Sequence, residues 1–339
     1  MVRRSSAIHR LPSFCAAVAL LCTPLLTACA QVEEAQEPSI DVLGLRTWTR
    51  PMLEDSLRKF QPDVQLGDAA CGVLLRDSLG FPDASVLRFR DGRVVLAVIE
   101  PQDSARVVLR QAPTHASGFD GPWNRLTELR TAELSPVDYA AATFLAHSVG
   151  EDVPVDAADS ALVHEVWSLL EAPIREVNVD ATLQALSSSP DPEERRAAAL
   201  YMIRHVDVDR AWYGLVGALR DSDGTVRSTA QTTLRAFRTS AAHPIDWTPA
   251  LADLRHLLDG TTLVFHTEVV KLLLETGIEP AVAQGALSAF GAGLLLDELG
   301  ASHEYVREPA HAFLTLAAGE DHGADPADWR AWTGTLRSD

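Results

Sequence analysis

The residues best spaced for chemistry lie toward the C-terminal end, where Glu304, Glu308 and His311 stand at i, i+4 and i+7 and contain a Glu-x-x-His pair. Two carboxylates and an imidazole on one helical face can hold a divalent metal. Val306, Ala310, Phe313 and Leu314 mark the buried side of the same helix, so the trio falls on its solvent face and reads as surface charge. Asp321, Asp325 and Asp328 have the residue type for calcium but lack the Asp-x-Asp-x-Asp-Gly register, and helix capping accounts for two of them. No Gly-x-Ser-x-Gly elbow, P-loop, His-Glu-x-x-His or clustered Cys/His set occurs in the 339 residues. The expectation is a protein with no catalytic residues, no metal and no cofactor.

The cysteines point elsewhere. Arg3, Arg4 and Arg10 precede an uncharged stretch from Leu11 to Ala28 that is broken by Pro12 and Pro24, leaving an apolar core too short to span a bilayer comfortably. Leu26-Thr27-Ala28-Cys29 then resembles the lipobox of bacterial lipoproteins. The resemblance implies that residues 1–28 are a lipoprotein signal peptide, that the Cys29 thiol becomes a diacylglyceryl thioether, and that the new amino group is acylated. The same residues also fit ordinary cleavage after Ala30, which would discard Cys29. At ~0.8 kcal/mol per buried CH₂, one acyl chain holds a membrane marginally and two or three hold it stably. Ala30, and not Asp, follows the cysteine, which implies an exported protein lipid-anchored in the outer membrane and facing the periplasm. Cys15 and Cys22 leave with the signal, so Cys71 is alone and no intramolecular disulfide forms. It lies four residues before Leu75 on an apolar stripe, the place of a buried, inert thiol.

Charge narrows the partners. The chain carries 29 basic and 47 acidic residues, a net of −18. Loss of Arg3, Arg4 and Arg10 with the signal leaves 26 basic against 47 acidic, a net of −21. Such a surface repels phosphate backbones and anionic head groups, so nucleic acid is excluded and the membrane is reached through the N-terminal lipid. A hydrophobic content of 47% suits folded cores.

The elements that must carry these residues begin after an acidic tether, 29–38. From 39 to 112 the pattern is a small β-α-α-β-β domain. Ile40 and Val42 alternate as a strand, Thr49 caps a helix with Leu53, Leu57 and Phe60 on one face, and a second helix turns Ala70, Leu74 and Leu75 inward. That helix stops at Gly80, with Pro82 behind it. Strands Ser85 to Arg90 and Arg93 to Ile99 follow, joined by Asp91-Gly92 as a two-residue type I′ hairpin, with a further strand expected near Arg106 to Arg110. The order, with Gly-Leu after the first strand, Gly80-Phe81 before the second and Glu100 closing the third, resembles a POTRA domain. The resemblance implies a sheet edge able to pair with a client strand.

Residues 113–178 read as a helical connector, with one helix from Ser135-Pro136 to His147 and another from Ala157 to Glu171. From 179 to 339 the sequence overlays itself at a period of about 32 to 41 residues. Asp223, Val226, Arg227, Ala230 and Leu234 resemble the second helix of a HEAT repeat of the phycobilisome-lyase-like kind. The spacing recurs at Asp191, Arg195, Ala198 and Met202, at Val306, Arg307, Ala310 and Leu314, and in degenerate form at His266, Val269 and Leu273. Apolar helices precede each copy: Val179 to Leu186, Val208 to Leu219, Trp247 to Leu258 and Ile278 to Leu299. Short hairpins cannot cover their own apolar faces, so they stack, and the small Ala198, Ala230 and Ala310 let helices approach. The recurring arginines either bond an adjacent repeat as an internal ladder or are solvated charge. Trp329 and Trp332 form a Trp-bearing cap on the open end.

The expected architecture is therefore multidomain α+β, a POTRA-like module followed by an all-α HEAT-like helical-hairpin solenoid. Lyase chemistry does not follow, because function is not inherited from a scaffold. Three readings remain: a membrane-tethered scaffold of the cell envelope that holds a protein partner; an envelope or outer-membrane biogenesis factor that binds clients by strand addition; and an unrecognised hydrolytic or metal-dependent activity in a cleft between the two parts.

Overall fold

The computed structural model describes residues 39–114, 123–132, 140–141, 143–144, 147, 160–171, 179–240 and 243–336. The stretches read above as signal peptide, lipobox with Cys29 and tether, and the start of the helix expected at Ser135-Pro136, lie outside them. The chain is mostly helical, with one three-stranded sheet near its N-terminal side.

Local signals set the first elements. Strand β1 is Ile40–Leu43. Helix α1, Arg50–Phe60, opens at Thr49, whose hydroxyl accepts the Met52 N–H. Helix α2, Ala69–Leu79, ends where Gly80 turns left-handed at φ 73°. Strands β2, Asp83–Arg88, and β3, Val94–Ile99, complete a sheet of order β1-β3-β2, with β1 parallel and β2 antiparallel to the central β3.

Two turn-level expectations are corrected. The β2–β3 connection is a three-residue loop: Phe89 N–H bonds the Arg93 carbonyl, Gly92 N–H bonds the Phe89 carbonyl, and only Gly92 has positive φ. A type I turn closed by a left-handed glycine replaces the type I′ form, which needs positive φ at Asp91 as well. Residues 106–110 form no strand. After a 3-10 turn at Pro101–Arg106 the chain runs as a strap along the helical region, with Val108 N–H on the Thr261 hydroxyl at 3.0 Å and Arg110 N–H on the Arg220 carbonyl at 2.6 Å.

Strand alternation buries both sheet faces. Ile40, Val42, Ala84, Leu96 and Val98 pack on α1 and α2 with Leu53, Leu57, Cys71 and Leu75. Leu43, Leu87, Val95, Ala97 and Ile99 point the other way, onto Leu263, Leu294, Ala301 and Val306 of the C-terminal helices and the turns between them. Asp41 accepts the Ser302 N–H, Asp83 the Leu263 N–H and Asp297 the Gly44 N–H, at 2.8, 2.8 and 2.9 Å. Gly44 has φ +84°, and a Cβ there would fall 2.0 Å from the Val98 carbonyl oxygen. Sheet and helices belong to one compact unit, Pro38–Asp339.

Helices α3, Trp123–Ala132, and α4, Ser160–Glu171, lead into paired helices. These are α5 Val179–Ser188 with α6 Pro192–Tyr201, α7 Asp209–Ala218 with α8 Gly224–Ser240, and α9 Leu251–Leu258 with α10 His266–Glu275. A last group joins α11 Pro280–Ala286 and α12 Ala289–Leu299 to α13 Glu304–Ala318, before a short α14 Arg330–Thr333. Second helices pack on second helices, α6 on α8, α8 on α10 and α10 on α13, while α5, α7, α9 and α11 pack in succession in another layer. The apolar run from Ile278 to Leu299, expected as one helix, breaks at Leu287 and Ser288. Ser288 is extended, its hydroxyl caps the Gly291 N–H and also bonds Asp259, a local stop inside an otherwise uniform apolar run. Trp329 is fully buried, donates its indole N–H to the Gly323 carbonyl at 2.7 Å, and has Trp332 against it.

Candidate functional site

The repeat positions read from the sequence fall mostly inside the core. Ala198, Val226, Ala230, Leu234, Val306, Ala310 and Leu314 are all buried. Asp191 caps α6 through the Glu193 N–H at 2.9 Å, and Asp223 caps α8 through Thr225 and Val226 at 2.8 and 3.1 Å. Arg195, Arg227 and Arg307 repeat one arrangement: each sends Nη1 to the carbonyls six and five residues earlier. The acceptors are Ser189 and Pro190 (2.9 and 3.3 Å), Asp221 and Ser222 (2.6 and 3.1 Å), and Ala301 and Ser302 (3.4 Å each). The arginines thus close their own turns; of the three, Arg195 also crosses to the next hairpin, pairing Nε and Nη2 with the two oxygens of Asp221 at 2.8 Å each.

The degenerate copy does something different. His266 stands where the other copies place arginine, buried, with Nδ1 2.9 Å from Glu298 Oε1 and Nε2 3.2 Å from the Leu258 carbonyl. Burial pushes its pKa down, but the Glu298 carboxylate beside it outweighs this and raises it overall. Glu298 Oε2 lies buried without a hydrogen-bond partner.

Glu100, at the end of β3, is the carboxylate that organises the turn after β1. It is fully buried and accepts the N–H groups of Arg46, Thr47 and Trp48 and the Thr47 hydroxyl, at 2.7–3.0 Å. Burial alone would raise its pKa, yet these donors, led by the Thr47 hydroxyl, hold it at about 2. Its role is structural.

The metal candidates come apart. Glu304 and Glu308 are exposed, and His311 Nε2 pairs with Asp321 at 2.9 Å. Among the described residues no group of three or more His, Cys, Asp or Glu is placed to hold a metal ion. Cys71 is buried beside α1, and burial, helped by Asp68, pushes its thiol up to about 12, far from a reactive thiolate.

The feature that sequence reasoning missed is a groove of about 450 Å³ along the outer side of β2. One wall is Arg76, Asp83, Ser85 and Val86; the other is the start of α8 with Arg227, the Thr262–Phe265 turn, and Val107 and Leu109 of the strap. The Val94 N–H bonds Ser39 on the β1 side, and Phe89 pairs with Arg93 on the β2 side. Alternation along the β2–β3 register therefore points the N–H and C=O of Ala84, Val86 and Arg88 outward. The Ala84 carbonyl is taken by the Arg76 guanidinium. Among the described residues no backbone hydrogen bond joins the outer side of β2 to another segment. Val264 and Leu109 are exposed at the groove, 41% and 37%, and the buried Ser85 Oγ has no hydrogen-bond partner. No sequence signal marks this groove beyond the order of the strands, because its walls come from distant segments; the Leu263–Asp83 bond beside it spans 180 residues.

Compared with known proteins, the chain matches no family model, no curated protein and no solved structure.

Proposed function

We propose that this chain is a non-enzymatic protein-binding scaffold of a bacterial cell envelope, tethered through a lipid on Cys29, and that it takes up an extended segment of a partner in the groove beside β2. The observation that carries the reading is an unpaired strand edge facing a half-apolar wall across about 450 Å³. An added strand finds main-chain partners at Val86 and side-chain contacts at Val107, Leu109 and Val264. The strand order with β3 central supports the POTRA-like resemblance, and the layered helix pairs support the HEAT-like solenoid. In this reading the repeats cover the sheet's second face and supply the far wall of the groove.

The test is Val86→Pro in the intact chain. The Val86 N–H points away from β3, so proline there leaves the ladder whole while removing the donor that an incoming strand needs. Crosslinking in native envelopes should recover a partner with the parent chain and lose it with the variant at unchanged thermal stability. Recovery undiminished by V86P would refute the groove as the binding surface. For the anchor, mass spectrometry of the mature N-terminus should show a diacylglyceryl thioether on Cys29, and Cys29→Ser should move the chain from membrane to soluble fractions.

A further inference from the structure

The charge lining the groove is opposite in sign to the net charge of the chain. The protein as a whole is strongly acidic, at −18. The charged side chains lining the groove are Arg76, Arg227 and Asp83, an excess of one positive charge. Asp83, whose Oδ2 accepts the Leu263 N–H at 2.8 Å, is the one counter-charge and acts on both arginines without pairing closely with either. Among the described residues, neither Arg76 nor Arg227 has a carboxylate within ion-pair distance. Each guanidinium spends Nη1 on backbone carbonyls, Arg76 on Ala84 and Arg227 on Asp221 and Ser222, which holds both groups in place. An arginine so held keeps further N–H donors in a fixed planar fork, the geometry that suits a carboxylate.

A second observation is independent of charge. Ser85, at 7% exposure, lines the same groove with its Oγ lacking any partner. A buried hydroxyl without a partner is a cost that a bound acceptor or donor relieves.

We propose that the occupant of the groove is an extended segment of a partner protein bearing an acidic side chain, which Arg76 and Arg227 hold while the segment's backbone pairs with Val86. This rests on the docking reading above and names the chemistry of what docks. Apolar neighbours of the acidic residue meet Val107, Leu109, Val264 and Phe265, so the segment alternates acidic or polar with apolar positions. Basic segments are rejected, because they would meet two guanidiniums that share a single carboxylate, Asp83, at short range.

The probes are labelled synthetic peptides of about six residues, the length of an ordinary strand. They alternate Thr and Val, carry a single central Glu, Gln or Lys, and are acetylated and amidated so that the centre is the one variable charge. Fluorescence anisotropy against the intact chain should show the Glu peptide binding about tenfold tighter than Gln, with Lys weakest and the Glu advantage shrinking at high salt. Arg76→Gln should remove most of the Glu-over-Gln preference while retaining Gln binding. Arg76 is exposed on α2, so this variant is the primary one; Arg227→Lys, which keeps a donor for the turn carbonyls, is the second. Equal binding of Glu and Gln peptides by the parent chain overturns the acidic specificity and leaves strand docking standing. Binding of none of the three overturns both. A preference for Glu that survives both Arg76→Gln and Arg227→Lys, with unchanged melting temperatures, overturns the assignment to these arginines. A fourth peptide, the Gln sequence left with a free C-terminal carboxylate, would also overturn it if it bound tighter than the Glu peptide, in favour of terminus capture.

Discussion

Arg195 grips Asp221 through two parallel bonds of 2.8 Å across neighbouring hairpins, with the two side chains only 2% and 8% exposed. Asp221 in turn accepts the Asp223 N–H at 2.8 Å, so one carboxylate ties the turn of the first hairpin to the start of α8. The pair sits where solvent screens poorly, and its loss must leave a buried charge.

Arg195→Met should therefore destabilise by about 3–5 kcal/mol, because Asp221 stays behind without its counter-ion. Arg195→Met with Asp221→Leu should recover much of that loss, since burying two apolar groups avoids the desolvation cost. Urea denaturation of the parent, both single variants and the double variant measures the coupling. Additive single effects would show that the pair does not act as a unit.

Glu100 predicts an acid dependence. Its folded pKa of about 2 lies below the ordinary 4.5, so its contribution is fully present above about pH 4.5 and lost as pH falls toward 2. That difference corresponds to about 3 kcal/mol. The stability gap between the parent and Glu100→Gln should narrow over this window and stay flat from neutral pH down to about 5. A gap independent of pH between 5 and about 2 would contradict the assignment.

His266 predicts the opposite slope. Its folded pKa is raised above the ordinary 6.5, so the stabilisation is complete below about 6.5 and declines as pH rises through the folded value. In Glu298→Gln the imidazole loses its carboxylate, and burial then favours the neutral form. The parent should exceed this variant most near pH 6 and progressively less as pH rises through the folded value, read by denaturation or by imidazole proton shifts. A constant difference would mean that the imidazole does not titrate in this range and would contradict the assignment.

What could be read in advance was local. Thr49 and Gly80 mark the ends of α1 and α2 because capping depends on a few adjacent residues. The buried alanines of α6, α8 and α13 follow from spacing alone. The unbroken apolar run of β3, Val94–Ile99, signals a strand covered on both faces, but nothing in it says that residues near 294–306 do the covering. The arginines are legible as a pattern but not in their partners: Arg195, which reaches the next hairpin as the ladder reading expects, and Arg227 and Arg307, which reach back to their own turns, share the same spacing. His266 could be aligned with them, but its pairing with Glu298 depends on a contact 32 residues away. The groove needed two segments to be brought together before either could be seen as a wall.

The bonds from Ser302 to Asp41 and from Gly44 to Asp297 span 261 and 253 residues. A chain growing from its N-terminus therefore makes the sheet long before anything exists to shield Leu43, Leu87, Val95 and Ile99. Closure over that face waits for the C-terminal helices, and a product truncated ahead of Leu263 would keep a sticky β surface that invites aggregation or a holdase.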